Sequence, residues 1–426
     1  MIKRILQHFA ARVLTAGLSF GVVWLTARYL GAAGRGQVSL FITDMSGLVL
    51  LTGLVGGSSL MYLAPRRNVW HLLRPAYGWA LVVSVVGAAG VALARSGGGH
   101  YALHLGAVTL IQVLFGVNLF LLLGRRGERA YNVLTTAQAA LLALALAGAF
   151  IGAHWLSITA YYYASYLAYG LPWLISTGLL LRLPDARPRR PSRLARLRRR
   201  AAARELVRHS RGAHLANILS FSNYRFGYYA VAFLVGTKAL GILSVGVALA
   251  EAIWLIPRST ALIQYVALVN AADKRGQAYA ALRGSRLTLL ATAAAVAVLA
   301  AVPAAWLAAV FGPEFGAAHG VILALAPGIL INGAGMQPST YFAGTARYGV
   351  NNRAGLLGLA VTVPVCLLLV PRLGMVGAAL GMSASYAASV LYLFGHYRRA
   401  TATTWPDLLP GWGDVRWLFR RLRKGE

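Results

Sequence analysis

Apolar residues run through this chain in blocks of about twenty, cut at short intervals by glycine, proline and arginine. A helix needs roughly 20 apolar residues to cross a bilayer. On that requirement the blocks predict twelve spans, at about 10–31, 38–63, 75–95, 101–123, 131–152, 159–181, 213–236, 239–269, 285–311, 318–343, 353–371 and 375–397. The pattern therefore predicts an all-α, polytopic membrane protein. The expected division is an N-terminal lobe at 1–182, a basic cytoplasmic linker at 183–212, a C-terminal lobe at 213–398 and a basic amphipathic tail at 399–426. Six helices per half return the chain to its starting side, so any internal repeat is parallel, about an axis along the membrane normal. A weak echo exists: aligning Gly31 with Gly236 places Gly36 on Gly241 and Ser39 on Ser244, with Asp44 and Glu251 nearby.

Composition agrees with the pattern. Of 426 residues 58% are hydrophobic and only 12% charged, with a mean hydropathy of +0.63. The formal charge of +31 raises the question of nucleic acid. The basic residues, however, alternate with apolar spans and form no solvated nucleic-acid module, so no nucleic-acid partner is expected. Sorted by loop, 33 of the 41 Lys and Arg fall on the side that carries both termini. Only Arg35, Arg95, Lys238 and Arg372 fall opposite, which sets both termini in the cytoplasm. Twelve of the basic residues lie between Arg182 and Arg211, and the tail adds more. Both segments are expected to lie on anionic membrane lipids. The single cysteine, Cys366, lies in an apolar run and excludes an intrachain disulfide.

Candidate chemistry is concentrated in 223–270. Charges at membrane depth are costly and mark pathways or binding sites. Arg225 is expected near mid-membrane, flanked on one helical face by Phe221, Tyr228 and Tyr229. It either pairs with a carboxylate or faces a cavity awaiting an anion, and the second reading is preferred because guanidinium holds phosphate bidentately. Glu251 is placed at similar depth, with Arg258 seven residues on and on the same face. Glu251 either pairs with Arg225 or titrates as a coupling site, the pair being preferred. In the first half Arg28 and Asp44 form a second candidate pair, and Arg12 is read as snorkelling to headgroups. The excess of Arg12, Arg28, Arg225 and Arg258 over Asp44 and Glu251 favours an anionic substrate.

Tyr162, Tyr166, Tyr169 and Trp173 form one helical stripe. Tyr161–Tyr163 read as an interfacial belt, whereas the deeper Tyr169 and Trp173 either stack on a sugar ring or pack on a neighbouring helix. His100 and His104 are read as an outer-surface loop, since no third metal ligand is visible. No cofactor, metal site, catalytic triad or nucleotide motif emerges.

Several stretches together resemble the polysaccharide (oligosaccharide) flippase family of the multidrug/oligosaccharidyl-lipid/polysaccharide exporter superfamily, the O-antigen type. They are RYLGAAGRG at 28–36, NYR at 223–225, LGILSVGVALAEAIWLIP at 240–257, FGPEF at 311–315 and PRLGMVGAA at 371–379. The resemblance implies two six-helix lobes around a central cavity in a bacterial inner membrane. It also implies alternating access that carries a polyprenyl-pyrophosphate-linked oligosaccharide to the outer leaflet for cell-surface polysaccharide biosynthesis. On this reading Arg28, Arg225 and Arg258 contact the pyrophosphate, Asp44 and Glu251 balance charge or couple to H+ or Na+, and Tyr169 and Trp173 face sugar. A glycan polymerase or glycosyltransferases are expected partners. Members of the family often carry Asp two residues after the helix-seven Arg, where this chain has Gly227; coupling here then falls to another group. The protein is not expected to be an enzyme. Alternatives are a drug/cation antiporter of the same superfamily, which needs an acidic cavity, a membrane glycan polymerase or ligase, which needs a larger outer segment, and a non-transporting scaffold.

Overall fold

A computed structural model describes residues 2–94, 99–183, 193–270, 274–345, 347–408, 410–411 and 416. The expected tail helix and residues 184–192 of the expected linker lie outside these, as does the side chain of Arg12. The chain divides into two compact units, Met1–Ile218 and Leu219–Glu426.

The first unit begins with α1 (Ile2–Thr52), which holds two of the predicted spans. No loop separates them. The backbone turns within one residue, Gly31, at φ 67° and ψ −175°. A side chain there would strain the left-handed conformation, so glycine carries the turn. The second of these spans breaks again at a 3-10 turn, Gly53–Val55, before α2 (Ser58–Leu63). Next come α3 (Val69–Ala94), α4 (Gly99–Gly124), α5 (Glu128–Ala147) with a π turn at Gly148–Gly152, and α6 (Ile158–Leu181). Helix α4 is the centre of this unit and packs against α1, α2, α3, α5 and α6.

Helix α7 (Arg193–Leu234) is continuous through the expected linker boundary at 212/213. Its first part packs on the first unit. Leu206 and Ala202 join that unit's core, Ser210 donates to Ser59 Oγ at 2.8 Å, and Arg67 Nε donates to Glu205 at 2.9 Å. That hydrogen bond and the Glu205 charge raise the Arg67 pKa above its ordinary value.

The second unit contains the end of α7, α8 (Thr237–Ala252), α9 (Leu255–Asn270), α10 (Lys274–Ala300), α11 (Ala304–Phe311), α12 (Ala318–Gly344), α13 (Tyr348–Thr401) and α14 (Trp405–Leu408). Helix α13, like α1, holds two spans across one glycine, Gly374, at φ 58°. Two expected spans are broken by proline. The run at 239–269 bends by 40° between α8 and α9, ahead of Pro257, and the run at 285–311 bends by 80° between α10 and α11, at Pro303. Proline removes an N–H and crowds the preceding turn, so each helix stops before it. Helix α12 is the centre of this unit and packs against α8, α9, α10, α11 and α13. It approaches α13 closely: a Cβ on Gly328 would lie 2.5 Å from Ser383 Oγ, and one on Gly335 would meet Val390 at 2.3 Å.

Among the described residues seven helices are long and apolar enough to span a membrane, and the two bent pairs raise the number to nine. Helices α1 and α13 each contain two of the expected runs, and the latter part of α7 covers the run expected at 213–236. The fourth run of each unit, α4 or α12, is its packing centre, and Gly31 and Gly236 make equivalent positive-φ turns at 67° and 109°. Ser39 and Ser244, aligned in the sequence echo, are both buried and both bond back to their own helix, to Arg35 O and Gly241 O.

Candidate functional site

The second unit brings Arg225, Glu251 and Arg258 together. At 1.5 Å per residue, Arg225 lies about 14 Å along α7 from its end at Leu234, and Glu251 about 21 Å along α8 from its start at Thr237. The two helices meet at the Gly236 turn, so Glu251 sits deeper than Arg225 rather than level with it. Arg225 is half-buried, its guanidinium 4.8 Å from the centre of the Tyr228 ring. Tyr228 thus takes the position expected of it, and the contact is a cation–π pair. Glu251 is within electrostatic reach of both Arg225 and Arg258, and Tyr224 is within reach of all three.

The proline bend arranges this group. Pro257 has no N–H to give Ile253, whose carbonyl instead accepts from Ile256 at 3.1 Å. The bend sends Trp254 into the core, where it is 1% exposed and its indole N–H donates to the Ile329 carbonyl of α12 at 3.1 Å. Its ring meets Tyr224 at 5.7 Å and Tyr386 at 5.6 Å, and these two lie 5.7 Å from each other. Arg258, on the far side of the bend, places its guanidinium 5.6 Å from the Trp254 ring. Glu251 and Arg258 therefore do not share one straight helical face. An aromatic triad joins them.

Gly227 is buried where α7 meets α13, and a Cβ there would touch Met382 Sδ at 3.4 Å and Ala378 Cβ at 3.6 Å. Met382 and Ala378 occupy the space that a longer side chain would need.

In the first unit the expected Arg28–Asp44 pair does not form. Arg28 is exposed on α1, while the buried Asp44 carboxylate accepts the Tyr101 hydroxyl at 2.6 Å. Arg35, expected in an outer loop, is only 5% exposed and donates to Thr26 Oγ1 at 2.9 Å. Because the chain turns within Gly31, Arg35 already lies in the following helix.

Trp173 and Tyr169 are half-buried and pack against the core of this unit. The Trp173 indole donates to Tyr77 Oη at 3.3 Å, Tyr77 donates to Asn118 Oδ1 at 2.7 Å, and Asn118 Nδ2 reaches Ser176 and Thr177 at 3.0 and 2.9 Å. Tyr169 packs against the core clusters of both ends of the unit. The expected tyrosine belt reduces to Tyr163, which is 55% exposed, since Tyr161 and Tyr162 are buried. His104, expected in a loop, is buried in the first turns of α4, bonded to Tyr166 Oη at 2.9 Å and stacked on Tyr162.

Sequence reasoning missed Trp254 as the organising ring, and with it Tyr224 and Tyr386. The signal for Trp254 was an aromatic three residues before Pro257 on a charge-bearing span. Tyr386 had none, because only tertiary packing brings α13 here.

Among the described residues the chain is helical, with long apolar helices in each unit and charges inside a span, the architecture of a polytopic membrane protein. It is similar in structure to a multidrug resistance MATE-family transporter of the MOP superfamily in an inward-facing conformation, with a TM-score of 0.72 and 15% identity over 91% of this chain and 94% of that one. The lipid II flippase MurJ, inward closed, also gives 0.72, at 12% identity over 96% and 89%. A Vibrio cholerae MATE transporter gives 0.56 at 13% identity over 95% and 97%. No family model and no curated protein matches the sequence.

Proposed function

We propose that this protein is a flippase that moves a lipid-pyrophosphate-linked oligosaccharide across the bilayer by alternating access. The observation that carries this reading is the charge of the group in the second unit. Two guanidinium groups, Arg225 and Arg258, stand around one carboxylate, Glu251, on a floor of aromatic rings. A net cation in a low-dielectric setting attracts an anion, and planar guanidinium suits phosphate oxygens. Arg225 and Arg258 are the assigned pyrophosphate contacts. Glu251 offsets part of their charge, and it is the group to which H+ or Na+ coupling is assigned. Arg28 and Asp44, expected as a further pyrophosphate contact and a balancing or coupling acid, belong to the first unit.

The neighbours of known structure include multidrug transporters as well as a lipid flippase, at equal TM-score. The charge balance favours the flippase, because a drug-cation carrier calls for excess acid where this group has excess arginine.

The test uses cells lacking their own flippase and scores surface glycan. Arg225→Ala is expected to lower it at least tenfold at equal protein level, and Arg225→Lys to restore part, since the charge returns without the fork. Full surface glycan with Arg225→Ala would remove this group from the mechanism. Drug efflux by the wild-type protein would support the antiporter.

A further inference from the structure

Beside the charged group, and wholly within the second unit, lies a cavity of about 340 Å³ bounded by α7, α9, α12 and α13. That volume is at the lower end of the range for small-molecule sites and about ten times a water's share of the liquid, roughly 30 Å³. Its lining mixes polar and apolar groups and is almost uncharged among the described residues. Asn332, Asn351, Ser385, Tyr224 and Tyr386 face it, Arg258 stands on its wall, and among the described residues no carboxylate lines it.

Several of these groups have polar atoms left over. Asn351 donates Nδ2 to the Ser339 carbonyl at 3.0 Å, yet its Oδ1 has no partner. Asn332 Nδ2 is likewise unmatched, and the hydroxyl of Tyr386, a residue only 3% exposed, has no partner either. Buried polar atoms are nearly always satisfied, so a cluster of orphaned donors and acceptors on one cavity calls for an occupant. A metal cation calls for acceptor oxygens, typically carboxylates, and finds an arginine here instead. An anion calls for more than one cation. Hydroxyl groups, which donate and accept at once, match amides and a phenol, and aromatic walls match an apolar ring face.

We propose that this cavity receives a neutral sugar ring of the transported glycan. The inference rests on the flippase reading above and adds to it a second contact: pyrophosphate at Arg225 and Arg258, sugar in the cavity of α7, α9, α12 and α13. The protein then senses that its lipid is loaded, because an unglycosylated lipid leaves these atoms unpaired.

The experiment measures binding of two short-chain polyprenyl pyrophosphates to the purified full-length protein. One carries a single hexose or N-acetylhexosamine, each tried in turn, and the other carries none. For the wild type the sugar-bearing lipid is expected to bind about tenfold more tightly, the equivalent of one or two good hydrogen bonds. Tyr386→Phe, which removes one unpartnered hydroxyl, and Asn351→Leu are expected to bring the ratio close to one while binding of the sugar-free lipid stays the same. Arg225→Ala is expected to weaken both lipids equally. Equal binding of the two lipids by the wild type overturns the sugar site and leaves the pyrophosphate reading standing. Binding of neither overturns both. A rise in melting temperature with sodium over choline, present in the wild type and absent in Asn351→Leu, would make the cavity a cation site and overturn the proposal. If Asn351→Leu melts early, the Tyr386→Phe arm decides, since nothing in the fold leans on that hydroxyl.

Discussion

Two buried polar groups, one in each unit, contrast in how far their hydrogen bonds are met. In the first unit Trp173, Tyr77, Asn118, Ser176 and Thr177 form a chain in which each side chain finds a partner. In the second, Asn332, Asn351 and Tyr386 surround a cavity and each keeps an atom without one. Both groups use the same residue types at helical interfaces. A closed network rigidifies the helices that carry it, whereas an open one next to two arginines and a glutamate is the chemistry of a site. Aromatic and amide side chains in a membrane span therefore signal function only when their partners are known to be missing.

The contrast can be broken by substitution. The largest effect on stability is expected from Asn118→Leu, which strips Tyr77, Ser176 and Thr177 of a shared partner at a cost of about 2–3 kcal/mol. Its melting temperature should fall by several degrees, while transport per folded molecule is retained. A loss of transport without a loss of stability would mean that the first network is also a site. Tyr386→Phe should do the reverse: stability within about 0.5 kcal/mol of wild type, because no internal bond is lost, with transport impaired. A clear drop in melting temperature would show that the hydroxyl has an internal partner after all.

Weaker still are the polar pairs in water. Arg67 and Glu205 tie the first part of α7 to the first unit, but their side chains are 51% and 31% exposed. Arg67→Ala should therefore cost no more than about 1 kcal/mol, less in high salt, and show itself chiefly as faster proteolysis within 193–218. Unchanged cleavage would mean that Leu206 and Ser210 suffice to hold α7. The smallest effect belongs to Asp407. Donation from the Thr404 hydroxyl and N–H, then the charge of Arg286, lower its pKa. Arg286 also donates to the Asp407 carbonyl at 2.8 and 2.6 Å, fixing α14 to α10. A lowered carboxylate pKa stabilises the folded state fully above the unfolded value, about 3.9, and the benefit is lost as pH falls through the folded value. Docking of residues 401–408, followed by hydrogen exchange, should be constant from neutral pH down to about 5 and loosen below 4. Loosening that begins near pH 6 would assign the titration to a histidine instead.

How much of this could be read in advance differs by level. The helical class and the many long apolar helices follow from the lengths of the apolar runs, because a bilayer leaves a helix few alternatives. The bends at Pro257 and Pro303 were written in the residues, but hydropathy passes through a proline without registering it. The reading of Arg35 failed for a related reason: the turn at Gly31 consumes a single residue, so the expected loop does not exist and its charge falls inside a helix. Arg225, Glu251 and Arg258 were found because charge is rare in such spans. For Trp173 and Tyr169 the two alternatives stay open in the sequence, because a helical stripe shows which residues share a face and not what that face meets. The cavity was illegible, since it is assembled from four helices spread over residues 220–393.

The central claim is that the arginines of the second unit take hold of a lipid pyrophosphate. Its most direct measurement is the flipping of a fluorescent polyprenyl-pyrophosphate glycan in proteoliposomes, comparing the wild type with Arg225→Ala at matched reconstitution and stability. The account predicts flipping by the wild type and a rate at least tenfold lower for the variant, with a pyrophosphate-free lipid ignored by both. Equal rates for the two proteins would contradict it.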